Sequence, residues 1–369
     1  VNEMATLLEL IQGRLDDFLI QQRARLAEIS EDLSPIGEHV GDLLQGGKRF
    51  RAQFAYLSWL GSLDRTALTE DQLTASTEAI VEVCAALELF HAAALVHDDV
   101  IDLSDSRRGK PAIHKRFERN HEAAHWAGNS ARFGTSSAIL IGDLLLGWAM
   151  EMFSTALAKL PDREAAIATR RQYELMQFEV MAGQFLDVLE ENAGPSRALH
   201  EAVGRANRVM LYKTAKYSVE APLAIGAAMA GADDEVLRSL SAFGVPLGLA
   251  FQLKDDILGV FGSPEKTGKP VGDDLREGKR TVLVGLTREA LPASQARIFD
   301  ELLTEGELSE QQIAQLQREI VDSGALVKCE RMIEQLAEQS LLALETVELT
   351  DSAKASLRKL ARLVVEREN

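Results

Sequence analysis

The segment ELFHAAALVHDDVIDLSDSRRGKP, Glu88 to Pro111, starts as an almost unbroken apolar run and ends in charge. Asp98, Asp99 and Asp102 come first, and the paired arginines Arg107 and Arg108 follow. Asp98 and Asp102 are four residues apart, and Asp99 and Asp102 three. On a helix all three lie together at the end of a buried stretch. Bunched carboxylates repel, and burial makes that worse. Water, the nearby arginines or metal ions could compensate.

Further along, FGVPLGLAFQLKDDILG, Phe243 to Gly259, repeats the pattern: an apolar run closed by Asp255 and Asp256. Two distant apolar helices that both end in paired aspartates favour metal. Mg²⁺ takes one or two protein carboxylates and completes its octahedron with water and substrate phosphate. A calcium-loop reading fails, because the residues after Asp98 lack the required glycine and closing glutamate.

Around these segments the spacing is helical throughout. Leu7, Leu10, Ile11, Leu15, Phe18 and Leu19 recur at three and four residues. Similar patterns predict helices at 73–103, 138–158, 164–191, 198–230, 235–261 and 279–290, and through the C-terminal third. No run of alternating β-branched residues with hairpin turns stands out. The expectation is an all-α protein, one large helical bundle spanning 1–369 as a single domain, with buried central helices around a cavity. No unbroken apolar stretch reaches a membrane span; AILIGDLLLGWAM is short and carries Asp143. The first residues, VNEMATLLELIQGRLDD, lack the basic and apolar regions of a signal peptide.

The net charge of −17 argues against nucleic acid as partner, since a phosphate backbone needs a basic surface. The two cysteines, Cys84 and Cys329, form no metal-spaced pair and fit a reducing cytoplasm. An acidic chain that binds anions needs local cations or metal. Local cations are present in GGKRFR (Lys48, Arg49, Arg51), at Arg107 and Arg108, in YKTAKYS (Lys213, Lys216) and in TGKPVGDDLREGKRT (Lys269, Arg276, Lys279, Arg280). Glycines beside Lys48, Lys269 and Lys279 let backbone approach an anion. None is a Walker loop. Carboxylates and cations together imply a phosphorylated substrate.

In their order, GGKRFR, ELFHAAALVHDDVIDLSDSRRGKP, GDLLL, GQFLD, KTAKYS, FQLKDD and TGKPVGDDLREGKRT resemble the motifs of trans-isoprenyl diphosphate synthases, the farnesyl, geranylgeranyl and polyprenyl diphosphate synthases. The resemblance runs from about Gly46 to Lys279, and geranylgeranyl diphosphate synthases are the most similar group. It implies the isoprenoid synthase fold and a prenyltransferase that condenses isopentenyl diphosphate head to tail with dimethylallyl, geranyl or farnesyl diphosphate. It also implies Mg²⁺, about three ions per site with Mn²⁺ as a substitute, and a homodimer. By motif match, Asp98 and Asp102 would ligate two ions and Asp255 a third, with Asp99 and Asp256 in support. Arg107, Lys213 and Lys269 would hold the allylic diphosphate, Lys279 would close over it, and Gln184 and Asp187 would line the site. Lys48, Arg51, His91 and Arg108 would hold isopentenyl diphosphate, and Thr214 and Gln252 would lie near the cation. Gly259 stands where the family pattern has a third aspartate. That loss is peripheral, so activity is expected to survive with altered metal dependence.

Product length follows from the helix before Asp98. Farnesyl-making relatives often carry bulky aromatics at the fourth and fifth residues upstream; here these are Ala94 and Ala93. Phe90 shares their face one turn deeper, about 5.4 Å along the axis. It would floor the tail pocket near C20, unless it is ordinary core or Trp148 supplies the floor. A longer-chain or farnesyl synthase, and a non-catalytic regulatory subunit, are the alternatives. A class I terpene cyclase would have no use for GGKRFR and His91.

Overall fold

The computed structural model describes residues 3–263, 271–304 and 308–365. Its chain divides into two compact units, 1–170 with 226–231, and 171–225 with 232–369.

The first unit holds α1 (Glu3–Ile29), α2 (Ser34–Leu43), α3 (Phe50–Ser62), α4 (Glu70–Ile101), α5 (Ile113–Ala123), α6 (Ser130–Leu157) and the start of α7 (Arg163–Ala193). Thr69 starts α4 with a capping box: its hydroxyl accepts from Gln72 N, and the Gln72 side chain accepts from Thr69 N. The helix then buries Ile80, Val83, Leu87, Phe90 and Ala93. One buried carboxylate ties three elements together, as Glu82 accepts from Arg14 of α1 and from Lys159 Nζ at 2.9 Å. Within this unit α3 meets the helix end carrying Gly226. A Cβ built on Gly226 would lie 2.0 Å from the Ala55 carbonyl oxygen, so backbone meets backbone there. Gly226→Ala is expected to cost about 1–3 kcal/mol or more, because a carbonyl, unlike a side chain, cannot swing aside. Thermal unfolding checks this; an unchanged midpoint would mean the helices separate without penalty.

The second unit continues α7 and adds α8 (Ala202–Val209), an i→i+5 wound helix (Met210–Glu220), α9 (Ala221–Met229, whose last turn belongs to the first unit) and α10 (Asp234–Phe261). It ends with α11 (Asp273–Arg276), α12 (Val282–Ala290), α13 (Ala293–Thr304), α14 (Glu310–Asp322), α15 (Ala325–Thr346) and α16 (Asp351–Val365). Asp233 caps α10, accepting from Glu235 N and Val236 N. Leu253, Phe299, Leu316, Ile320 and Cys329 share one buried core. The wound stretch from 210 to 220 departs from the uninterrupted helix expected over 198–230. Such windings are rare and are found frequently at functional sites.

The fold is all-α, as expected; among the described residues it carries one short antiparallel ladder, β1 (Ser106–Arg107) with β2 (Lys110–Pro111), too brief to leave any periodicity in the sequence. By length and composition α4, α6 and α10 are each apolar enough to cross a membrane. Counting unbroken apolar residues missed this, since an average over a window tolerates an isolated Asp143. In α4, 72% of that window is buried inside the protein.

Candidate active site

In the first unit, α4 ends at Ile101, and Asp102 caps it with its N–H on the Asp98 carbonyl at 2.8 Å. The three aspartates differ in setting. Asp98 and Asp102 are partly exposed, whereas Asp99 points inward and is buried. Arg107 donates to Asp99 Oδ1 through Nε at 2.8 Å and again through Nη2, and Nη2 lies 3.5 Å from Asp98 Oδ2. Burial works against the Arg107 charge, but Asp99, Asp98 and Asp102 outweigh it and its pKa is raised. The arginine answer thus holds for Asp99, which anchors Arg107 beside the other two carboxylates.

The β1–β2 turn aims the next side chain. Arg108 and Gly109 both have positive φ, 53° and 72°, the signature of a two-residue hairpin turn matched to strand twist. Glycine accepts this freely; arginine does so at a cost. Arg108 is exposed at the tip, and its guanidinium lies against Gly47, where a Cβ would stand 3.4 Å from Nη1. The Gly46–Arg49 loop is itself left-handed at Gly46, Gly47 and Arg49. Arg49 is buried and pins that loop, donating to the Leu44 and Leu8 carbonyls, each at 3.2 Å, and to Gln12. Lys48 is left exposed between them, its carbonyl accepting from Gln53 Nε2 at 2.6 Å.

Two α4 residues face this cationic loop. Burial, with Arg51, Arg108 and Arg107 nearby, holds His91 well below the ordinary imidazole range. It is neutral at neutral pH, so it can donate one N–H to an anion without adding charge. Glu88, three residues earlier on the same face, was not singled out in the sequence. Burial raises its pKa, and Arg51, Arg49 and Arg108 oppose that rise. A carboxylate inside the apolar run AALELFHAAALV was the available signal.

The depressed His91 pKa gives a signed prediction. The unfolded chain titrates near pH 6.5 and the folded one lower. Below pH 6.5 the unfolded state therefore binds more protons, and this residue's share of stability, complete above that pH, is lost as pH falls. Compared with His91→Gln, wild type should lose stability in urea titrations stepped downward from pH 6.5. Parallel curves would refute it.

In the second unit, two glycines press three helices together. A Cβ on Gly183 of α7 would lie 2.4 Å from Lys213 N, and one on Gly248 of α10 would lie 2.5 Å from Ala215 Cα. The wound helix 210–220 is thus in close contact with both neighbours, which sets Gln184, Asp187 and Gln252 on the helices flanking Lys213 and Thr214. Lys213 Nζ pairs with Asp187 Oδ2 at 2.5 Å. Lys216 pairs instead with Glu179 and with Glu220 at 3.6 Å. Gln252 Nε2 donates to Asp256 Oδ1 at 2.8 Å. Asp255 is exposed and Asp256 buried; burial raises the Asp256 pKa well above the ordinary carboxyl range, and Asp274 and Asp255 add to it. Lys279 Nζ contacts Glu277 at 2.6 Å and Asp274 at 3.7 Å. Arg280 is no anion ligand in this arrangement, being buried on Asp300, which Arg288 shares. Lys269 lies outside the described residues.

Among the described residues no three His, Cys, Asp or Glu side chains form a ready-made metal cage. The paired aspartates offer the hard oxygen donors that Mg²⁺ takes, its remaining ligands being water and phosphate. On α4, Ala94 keeps partial exposure, whereas Ala93 and Phe90 are buried. Trp148 packs edge-on against Phe18, ring centroids 6.2 Å apart.

A family model described as polyprenyl synthetase matches residues 34–320. The chain belongs to this family. Geranylgeranyl diphosphate synthase of Sulfolobus acidocaldarius is 32% identical over 73% of this chain and 71% of its own. Geranylfarnesyl diphosphate synthase of Aeropyrum pernix is 32% identical over 87% and 91%. The crystal structure of geranylgeranyl pyrophosphate synthase from Corynebacterium glutamicum, complexed with isoprenyl diphosphate and magnesium, superposes with a TM-score of 0.88. It is 36% identical, covering 98% of this chain and 99% of that one. The polyprenyl synthetase fold is therefore the all-α isoprenoid synthase fold, and the protein is a trans-prenyltransferase.

Proposed function

We propose that the protein joins isopentenyl diphosphate to allylic diphosphates and stops at all-trans geranylgeranyl diphosphate, C20. Ala93 and Ala94 just before Asp98, with Phe90 one turn deeper, carry the chain-length part of this reading. The allylic C–O bond breaks and its electron pair leaves with pyrophosphate. The isopentenyl double bond supplies the pair for the new C–C bond, and a proton then departs to the released pyrophosphate. Asp98, Asp102 and Asp255 hold the Mg²⁺ ions, which when bound offset the charge growing on the leaving diphosphate. Arg107, Lys213, Lys269 and Lys279 bind the allylic diphosphate. Lys48, Arg51, Arg108 and neutral His91 bind the isopentenyl one, with Glu88 keeping the arginines from repelling one another. Gln184 and Asp187 border the allylic site, Asp187 orienting Lys213. Thr214 and Gln252 turn their dipoles toward the cation.

Labelled isopentenyl diphosphate, offered with dimethylallyl, geranyl or farnesyl diphosphate, tests this. The expected result is Mg²⁺-dependent incorporation that ends at C20 on chromatography. A C25 product would favour the kind of activity named for the Aeropyrum relative, and longer products a polyprenyl diphosphate synthase. Absence of incorporation with intact diphosphate binding would favour a regulatory subunit. We further read the protein as a homodimer, supported by Ile139 and Leu140 standing exposed on α6, and as cytoplasmic, supported by the free thiols of Cys84 and Cys329; light scattering on a sizing column checks the assembly.

A further inference from the structure

Lys216 carries a charge that the proposed chemistry leaves unused. It lies on the wound stretch Met210–Glu220, three residues after Lys213. Eleven residues is long for i→i+5 winding, which mostly occurs as a single turn inside an α-helix. Such winding puts more residues in each turn than the 3.6 of an α-helix, so it changes the angle between side chains three apart. Lys213 and Lys216 therefore point in directions that an α-helix would not give them.

Both directions are met by one face of α7, where Glu179, Gly183 and Asp187 stand four residues apart. Lys216 donates to Glu179, Gly183 makes room for the Lys213 backbone, and Asp187 takes the Lys213 ammonium at 2.5 Å. Relaxation to α-winding would turn the two lysines relative to each other and cost one of these pairs. Lys216 is also tied within its own stretch. Its Nζ lies 3.6 Å from Glu220, four residues on, and 5.5 Å from the ring centre of Tyr212, four residues back. Ser241 of α10 donates to Glu220 at 2.5 Å. The Lys216, Glu179 and Glu220 side chains are each less than a fifth exposed, at 19%, 15% and 18%. Glu179, Glu220 and Ser241 border a cavity of about 300 Å³ between α7, α9 and α10. On that side polar bonds, more than close packing, hold the stretch.

We propose that Lys216 is a positioning residue: by bridging Glu179 and Glu220 it keeps the 210–220 stretch in its i→i+5 winding, and the winding aims Lys213 at the allylic diphosphate. The proposal rests on the reading of Lys213 as a ligand of that diphosphate.

Steady-state kinetics on the full chain test it, with Lys216→Met, Lys213→Met and the double variant, and circular dichroism on each. Lys216→Met keeps the stem and removes the charge. It should lower kcat/KM for geranyl diphosphate by roughly 10–100-fold, the scale of a misplaced binding group, and leave the KM for isopentenyl diphosphate as in wild type. Lys216→Arg keeps the charge and should recover most of the loss. In the Lys213→Met background, Lys216→Met should cost no more than about twofold further, because a residue acting through Lys213 has nothing left to aim. Losses that multiply across the double variant would overturn the proposal. So would a folded Lys216→Met with unchanged kcat/KM, or a Lys216→Arg no better than Lys216→Met. Should Lys216→Met fail to fold, Glu179→Gln, which keeps the shape and loses the charge, takes its place in the same cycle. Lys213→Met as active as wild type would instead overturn the reading of Lys213 itself, and the proposal with it.

Discussion

Asp98→Asn should lower kcat for isopentenyl diphosphate incorporation by roughly 10²–10³-fold, the usual loss when one charge-stabilising group is removed from a transition state. It should leave the fold nearly untouched, within about 0.5 kcal/mol, because this carboxylate is partly exposed and the close partner of Arg107 is Asp99, with Asp98 at 3.5 Å. Its neighbour should do the opposite in kind. Asp99→Asn strips the buried partner from Arg107, and breaking a buried ion pair costs about 3–5 kcal/mol. Two adjacent aspartates are thus separable, one by turnover and the other by thermal unfolding. The assay is labelled isopentenyl diphosphate at saturating Mg²⁺. Undiminished turnover by Asp98→Asn would remove the first aspartate motif from the chemistry.

Phe90→Ala is expected to change two properties at once. The ring is fully buried, with 1% of its surface exposed. Truncating a buried phenylalanine typically costs about 3–5 kcal/mol, from lost transfer energy and the cavity left behind. If the ring also floors the tail pocket, the cavity lets the product grow past C20. Phe90→Leu keeps most of the volume and should shift both properties less. Chromatography of dephosphorylated products gives the length, and thermal unfolding the stability. Lower stability with unchanged product length would reduce Phe90 to a core residue.

The helices that carry the site could be read directly from the sequence, because their apolar periods are long: α4, α6, α7 and α10 fall near 73–103, 138–158, 164–191 and 235–261. The aspartates at the ends of α4 and α10 were equally visible, since charge terminating an apolar run is a local signal. Features that depend on tertiary neighbours were not. Arg280 looked like its neighbour Lys279 and is buried on Asp300. Glu88 belongs with the arginines only because α3 and the Gly46–Arg49 loop bring them there. Gly259 read as a missing carboxylate, and nothing in the order of residues signalled that the Asp274 side chain packs against it. The β1–β2 ladder has two residues per strand, too few for alternation to register.

The hairpin tip places opposing demands on position 108. Backbone comfort there favours glycine or asparagine, while a diphosphate partner favours guanidinium. On the proposed role of Arg108, glycine or asparagine there would give sturdier chains that bind the isopentenyl unit poorly. A screen selecting on heat resistance alone should collect such changes first, and a screen selecting on turnover should discard them.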